Sequence, residues 1–260
     1  MNGLDYRLKE FLPASGKSAL LVDTSAGLTL GALPGLEDFE KALRPILTMV
    51  EGVVCSPGQL RRLGNRTRHD AALLVRMDWT NMLRGEGFPL PPEKVSYLTL
   101  LDAGDALELG VAGMVLSFLL GYEEAVEAAC LKTAVQLSLA GKNLGLPLLV
   151  EVCPNGPRVS LPGKAVELGA SYALESGADV IVIPHPGADS LKTIAAMLSV
   201  PWLLKPTSAD SSETDCETAL GLGAAGLWLD HTWLAPGMPL AELARNVHKI
   251  SDRKPEAPHG

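Results

Sequence analysis

The sequence predicts a single α/β domain, a (β/α)8 TIM barrel. Short apolar runs alternate with longer amphipathic ones along nearly the whole chain. The apolar runs are continuous in Val, Leu and Ile instead of alternating with polar residues, which suits parallel strands covered on both faces. Roughly eight such units fit into about 250 residues, the usual size of this barrel. A doubly wound open sheet is the alternative. No Gly-x-Gly-x-x-Gly opens the first helix, and Gly221-x-Gly223 precedes a strand instead of following one, so a dinucleotide fingerprint is missing.

Taken in order, residues 1–13 mix Asp5, Arg7, Lys9 and Glu10 with few apolar side chains and do not read as a signal peptide. Strands are expected at 19–23, 52–55, 72–77, 113–118, 147–152, 179–183, 202–205 and 226–229, each flanked by Gly, Pro or Asp. Helices are expected at 36–50, 94–107, 123–140, 164–175, 190–198, 214–222 and 240–250. The first of these follows Pro34-Gly35 and carries apolar residues at helical spacing. Gly141 and Gly145 close the longest helix, and Gly177 closes another. Residues 84–92, with Gly85, Gly87, Pro89, Pro91 and Pro92, read as a long excursion or lid. The barrel is expected to occupy residues 1–250, with 251–260 a disordered tail rich in Pro and charge.

Of the 260 residues, 47% are hydrophobic and 20% charged, and the formal net charge is −8. An acidic chain with no basic patch argues against a nucleic-acid or anionic membrane partner. The most apolar stretch, around 111–120, is interrupted by Gly113 and Ser117 and is too short to span a bilayer. Cys55, Cys130, Cys153 and Cys216 form no CxxC pair and read as reduced thiols of a cytoplasmic protein.

Several segments together resemble the archaeal-type class I fructose-bisphosphate aldolases and the wider deoxyribose-phosphate and tagatose-bisphosphate aldolase-like barrels. Asp23 follows Leu20-Leu21-Val22, where that family carries a first-strand Asp. Cys55-Ser56-Pro57-Gly58-Gln59-Leu60-Arg61-Arg62 is similar to its T-P-G-x-L-R segment, and Gly145-Leu146-Pro147 through Cys153-Pro154-Asn155-Gly156 to its G-L-P and Y-P-R-G phrases. Val200-Pro201-Trp202-Leu203-Leu204 and Gly223-Ala224-Ala225-Gly226 complete the series. Gly177-Ala178-Asp179-Val180-Ile181-Val182-Ile183-Pro184-His185-Pro186-Gly187 resembles the strand that carries the family's Schiff-base lysine, but Val182 stands at the lysine position.

The departures gather where the chemistry belongs. Cys153 replaces a proton-transferring Tyr, His185 another Tyr, and Lys205-Pro206 a phosphate-binding Gly-Gly. Asp230-His231 replaces a Gly-Arg, which places an acid where phosphate would bind. Fructose-bisphosphate aldolase activity is therefore not inherited with the fold.

The mouth of such a barrel is built from the C-terminal strand ends. Lys205 is the sharpest candidate: a desolvated amine has a depressed pKa, and the neutral form is the nucleophile. Asp23, Glu151 and Asp78 are candidate acids or bases, and His185 and His231 candidate proton shuttles. Arg76, Asp78, Cys153, Asp230 and His231 are expected to contact substrate. The leading reading is a lyase acting on a small carbonyl compound through Lys205, with Asp23, Glu151 and His185 as the other catalytic groups and no cofactor or metal. An inactive barrel that binds a metabolite or protein, and a metal-dependent or acid–base enzyme, are the alternatives. A Lys205 amine facing the cavity supports the first, a closed mouth the second, and convergence of His185, His231 and Glu151 the third. Barrels of this family commonly associate, so a homo-oligomer is expected.

Overall fold

The computed structural model describes residues 2–13, 17–63, 71–206, 213–235 and 240–251. The expected tail lies outside these residues, apart from Ser251. Eight parallel strands close into a barrel in the order β1-β10-β9-β8-β7-β6-β3-β2. They are β1 (Ala19–Asp23), β2 (Gly52–Cys55), β3 (Ala72–Arg76), β6 (Gly113–Leu119), β7 (Leu148–Cys153), β8 (Val180–Pro184), β9 (Trp202–Lys205) and β10 (Gly226–Leu229). Each falls within a residue or so of its expected place. Continuous Val/Leu/Ile runs form these strands because both faces are buried: every residue of β1, β2, β6, β7 and β10 is buried.

Helices α3 (Phe39–Ile46), α4 (Pro57–Leu63), α5 (Ala103–Glu108), α6 (Glu124–Leu144), α7 (Pro162–Glu175), α8 (Ala188–Met197), α9 (Glu213–Gly221) and α10 (Leu240–Ser251) alternate with the strands. Closure requires a close approach between β1 and β10. A Cβ on Gly226 would sit 2.0 Å from the Ala19 carbonyl oxygen, so only glycine fits.

Besides α4 and a 3-10 turn at His231–Leu234, which no expected helix covers, three features depart from expectation. First, residues 3–11 form a helix, α1 (Gly3–Phe11), capped by the Asn2 side chain, which accepts from the Asp5 N–H at 2.8 Å. Phe11 is fully buried in the apolar cluster inside the barrel, with Leu21, Leu74, Val115, Val182 and Trp228. It packs near Gly52, at the N-terminal end of the strands. Second, residues 94–107 are not one helix. Asp78–Thr80 (β4) and Tyr97–Thr99 (β5) pair antiparallel outside the barrel, and α5 starts only at a capping box between Asp102 and Asp105. The strand preference of Tyr97 and Thr99 and the cap at Asp102 override the helical pattern. Third, a short helix, α2 (Gly27–Leu30), follows β1. With the β4–β5 excursion it lies over the C-terminal ends of the strands.

Candidate active site

Side chains on a strand return to the same face every second residue. Leu21, Leu74, Val115, Leu149 and Leu203 belong to the apolar cluster inside the barrel. The residues two positions later are Asp23, Arg76, Ser117, Glu151 and Lys205. The interior thus changes from an apolar layer to a polar and charged one toward the C-terminal end, and on these five strands the change is encoded as one polar residue two positions beyond an apolar one.

Arg76 is the hub. One terminal nitrogen donates to Asp23 Oδ2 and, at 2.9 Å, to Glu151 Oε2. The other donates to Ser117 Oγ at 3.0 Å, and Nε donates to Ser25 Oγ at 3.2 Å. The guanidinium also lies 5.9 Å from the centre of the Trp228 ring. Asp23 Oδ1 accepts from the Ser25 N–H at 2.8 Å and from Ser25 Oγ at 2.6 Å. The second Glu151 oxygen accepts from Lys205 Nζ at 2.8 Å, and Lys205 Nζ lies 3.8 Å from Asp230 Oδ2.

The electrostatics follow from these pairs. Burial alone would raise the Glu151 carboxyl, but Lys205 and Arg76 outweigh it and hold the group at about 2. Burial alone would lower the Lys205 amine, yet Glu151, with Cys153 and Asp230, drives it well above the ordinary lysine value. The expected depressed lysine is therefore corrected: Lys205 rests as an ammonium because a buried carboxylate touches it. Asp78 behaves in the opposite way. Burial outweighs Arg76 and Ser117 and pushes its carboxyl up to about 6.

These groups surround a cavity of about 80 Å3, lined by Asp23, Ser25, Arg76, Asp78, Ser117, Glu151, Lys205, Asp230 and His231. Leu28, Thr29, Trp79, Thr80, Met82 and Leu83 roof it. The roof is braced: Trp79 Nε1 donates to the Leu28 carbonyl at 3.0 Å, and Arg84 stacks on Trp79 and Phe88. Residues 79–83 cover the site, and the expected lid at 84–92 supplies bracing through Arg84 and Phe88.

The structure thus brings together Lys205, Asp23, Glu151, Arg76, Asp78, Asp230 and His231. It leaves out His185 and Cys153. His185 follows the end of β8, where its Nε2 lies 3.7 Å from Asp215 Oδ1 and its Nδ1 accepts from the Gly187 N–H. Burial pushes the Cys153 and Cys55 thiols up, the latter to about 12, so neither rests as a thiolate. Ser25 went unnoticed in the sequence because it lies past the end of β1. Among the described residues, no three His, Cys, Asp or Glu side chains come together in a way that could hold a metal ion. His185, His231 and Glu151 do not converge.

No family model matches the sequence. A 2-amino-3,7-dideoxy-D-threo-hept-6-ulosonate synthase of Halobacterium salinarum is 25% identical over 248 residues, covering 92% of this chain and 89% of that one. An uncharacterized aldolase of Pasteurella multocida is 26% identical over 253 residues, covering 95% and 82%. An archaeal fructose 1,6-bisphosphate aldolase superposes with a TM-score of 0.73 over 95% of this chain and 98% of its own, at 18% identity. The chain resembles the class I aldolase barrels in sequence and in fold. A fructose-bisphosphate aldolase of Slackia heliotrinireducens gives a TM-score of 0.74 at 16% identity, covering 99% of this chain and 92% of its own.

Val182, the position matched to the family's lysine, is fully buried in the apolar layer and pairs with Glu151 on one side and Leu203 on the other. Lys205 lies one strand over and two residues further up.

Proposed function

We propose that the protein is an aldolase-like carbon–carbon lyase that acts on a small, uncharged carbonyl compound through an imine on Lys205. One observation carries this: Lys205 lines the cavity that also holds Asp23, Arg76 and Glu151, on the strand next to the one that bears Val182.

The raised amine is compatible with this chemistry. Overall, an ammonium and a carbonyl give an iminium and water, so a positive charge stands beside Glu151 before and after the reaction. Glu151 takes the ammonium proton. The free amine adds to the carbonyl carbon, and the nitrogen of the adduct passes a proton to the former carbonyl oxygen. Glu151 returns its proton to that hydroxyl, which leaves as water, and the iminium remains paired with the carboxylate. Arg76 fixes Glu151 from the other side, and Asp23 with Ser25 fixes Arg76.

Size and charge support the substrate class. The cavity falls well short of the ~300–1,000 Å3 of common ligand pockets. Its walls hold the carboxyl groups of Asp23, Asp78, Glu151 and Asp230 against the two cations Arg76 and Lys205, an acid excess that opposes phosphate. Assembly into a homo-oligomer belongs to the same reading. Leu131, Val135 and Leu139 are 43%, 39% and 62% exposed at four-residue spacing along α6. Among the described residues no helix is long and apolar enough to cross a membrane.

The Lys205→Ala variant tests the assignment. It should keep its fold by circular dichroism and lose the borohydride-trapped adduct with small ketones. An undiminished adduct in the folded variant overturns the role of Lys205.

A further inference from the structure

An imine on Lys205 only prepares a carbonyl compound; making or breaking a carbon–carbon bond also needs a group that moves protons at the carbon next to the imine. Cys153, at the position matched to the family's proton-transferring Tyr, lies outside the cavity with a thiol that burial keeps protonated. Asp23 and Glu151 have both oxygens engaged, and Asp230 has one engaged and the other 3.8 Å from the Lys205 ammonium, in a side chain that is partly exposed. Asp23 is held by Arg76 and Ser25, Glu151 by Arg76 and Lys205, and Asp230 Oδ1 by the N–H and hydroxyl of Thr232.

Asp78 is different. Its side chain is 1% exposed, one oxygen accepts from the Ser117 N–H at 3.2 Å, and the other makes no hydrogen bond among the described residues. That oxygen lies 3.9 Å from Arg76 Nη1, beyond hydrogen-bond reach. The charged groups that act on Asp78 are Arg76 on β3 and Glu151 on β7, and Asp78 in turn raises the titratable groups of Tyr97 on β5, Cys130 on α6 and Cys153 on β7. Among them only Arg76 favours the carboxylate. A buried carboxyl with a spare oxygen, in the wall of a cavity too small to hold its occupant far from any wall, is a proton carrier without a task in imine formation.

We infer that Asp78 moves the proton at the carbon next to the Lys205 imine. This rests on the imine reading above. In the step, the carbon–hydrogen bond breaks, its electron pair forms the enamine double bond, the iminium pair returns to nitrogen, and the proton goes to Asp78. The reverse step delivers a proton from Asp78 to the carbon. No oxidant, reductant or second reactant is needed. Arg76 and Ser117 place the carboxyl, and the neutral acid is available near neutral pH for the return step.

The experiment uses hydroxyacetone as the probe, with two readouts on the full-length protein. Borohydride trapping reports the imine, and loss of the ketone's α-proton signals in D2O, by NMR, reports proton transfer per adduct above the protein-free rate. The wild type should show both. Asp78→Asn, which keeps shape and removes the proton carrier, should form the adduct within a few-fold of wild type and lose at least tenfold in exchange per adduct. Exchange that survives in a folded Asp78→Asn protein overturns the inference and leaves the imine reading standing. A wild-type adduct without exchange, or a variant that loses the adduct as well, overturns it too. Absence of any wild-type adduct overturns the imine reading and this inference with it. Should Asp78→Asn fail to fold, the wild-type pH profile decides: exchange per adduct should rise through about pH 6 to a plateau, and a flat profile contradicts the role.

Discussion

At the scale of residues, the charged layer is a set of compensations centred on Arg76. Lys205 rests as a cation because Glu151 lies 2.8 Å away, and neither partner changes charge between pH 6 and 9. Because Glu151 takes the ammonium proton and returns it within the pair, the initial rate of borohydride-trapped product should stay within a few-fold over that range. A rate that rises through pH 7 to a plateau would mean a depressed amine that loses its proton to solvent. Asp78 gives a prediction of opposite kind. Its folded value is raised from 3.8 to about 6, so its contribution to stability is full below about 3.8 and lost as the pH rises through about 6. The cost above that window is ~3 kcal/mol. Asp78→Asn should therefore raise the melting temperature by roughly 5 °C or more at pH 8 and change it little at pH 4, as read by calorimetry. Candidate residues were legible one by one, since each lies in or just past the C-terminal half of an apolar run. Their charge states were not. The pair that sets Lys205 joins residues 54 positions apart, and whether burial or a partner wins depends on a distance that no local pattern contains.

At the scale of elements, the barrel strands were legible because continuous Val/Leu/Ile runs between Gly, Pro and Asp have few other homes. The elements that finish the barrel at its two ends were harder to read. Helix α1 carries Tyr6, Arg7, Lys9 and Glu10 on a mostly exposed surface and buries one large side chain, Phe11; a single apolar anchor gives no periodicity. Phe11→Ala should nonetheless cost about 3–5 kcal/mol, measured by urea unfolding, because Phe11 is fully buried against the interior cluster. A loss under 1 kcal/mol would show that α1 is a decoration. At the other end, β4 and β5 are three residues each, too short to outweigh the helical spacing across 94–107. Their pairing of Asp78 with Thr99 and Thr80 with Tyr97 joins residues about twenty apart, through a segment whose prolines and glycines announced a loop and nothing of its partner.

At the scale of the whole molecule, the chain is a barrel that resembles the class I aldolases in fold. The lower interior is apolar and includes Val182. The upper interior holds Arg76 and Lys205 among Asp23, Asp78, Glu151 and Asp230, under a roof that leaves about 80 Å3. The acid excess and the small volume are the grounds on which the proposed substrate is small and uncharged. The central claim is that the lysine chemistry has moved from the strand of Val182 to the next strand. Borohydride trapping of the wild-type protein with a panel of small uncharged ketones and aldehydes, followed by peptide mapping of the reduced adduct, tests this most directly. The account predicts a single modified peptide carrying the adduct on Lys205. Labelling that is absent across the panel, or that falls only on exposed lysines such as Lys132 or Lys192, would contradict it.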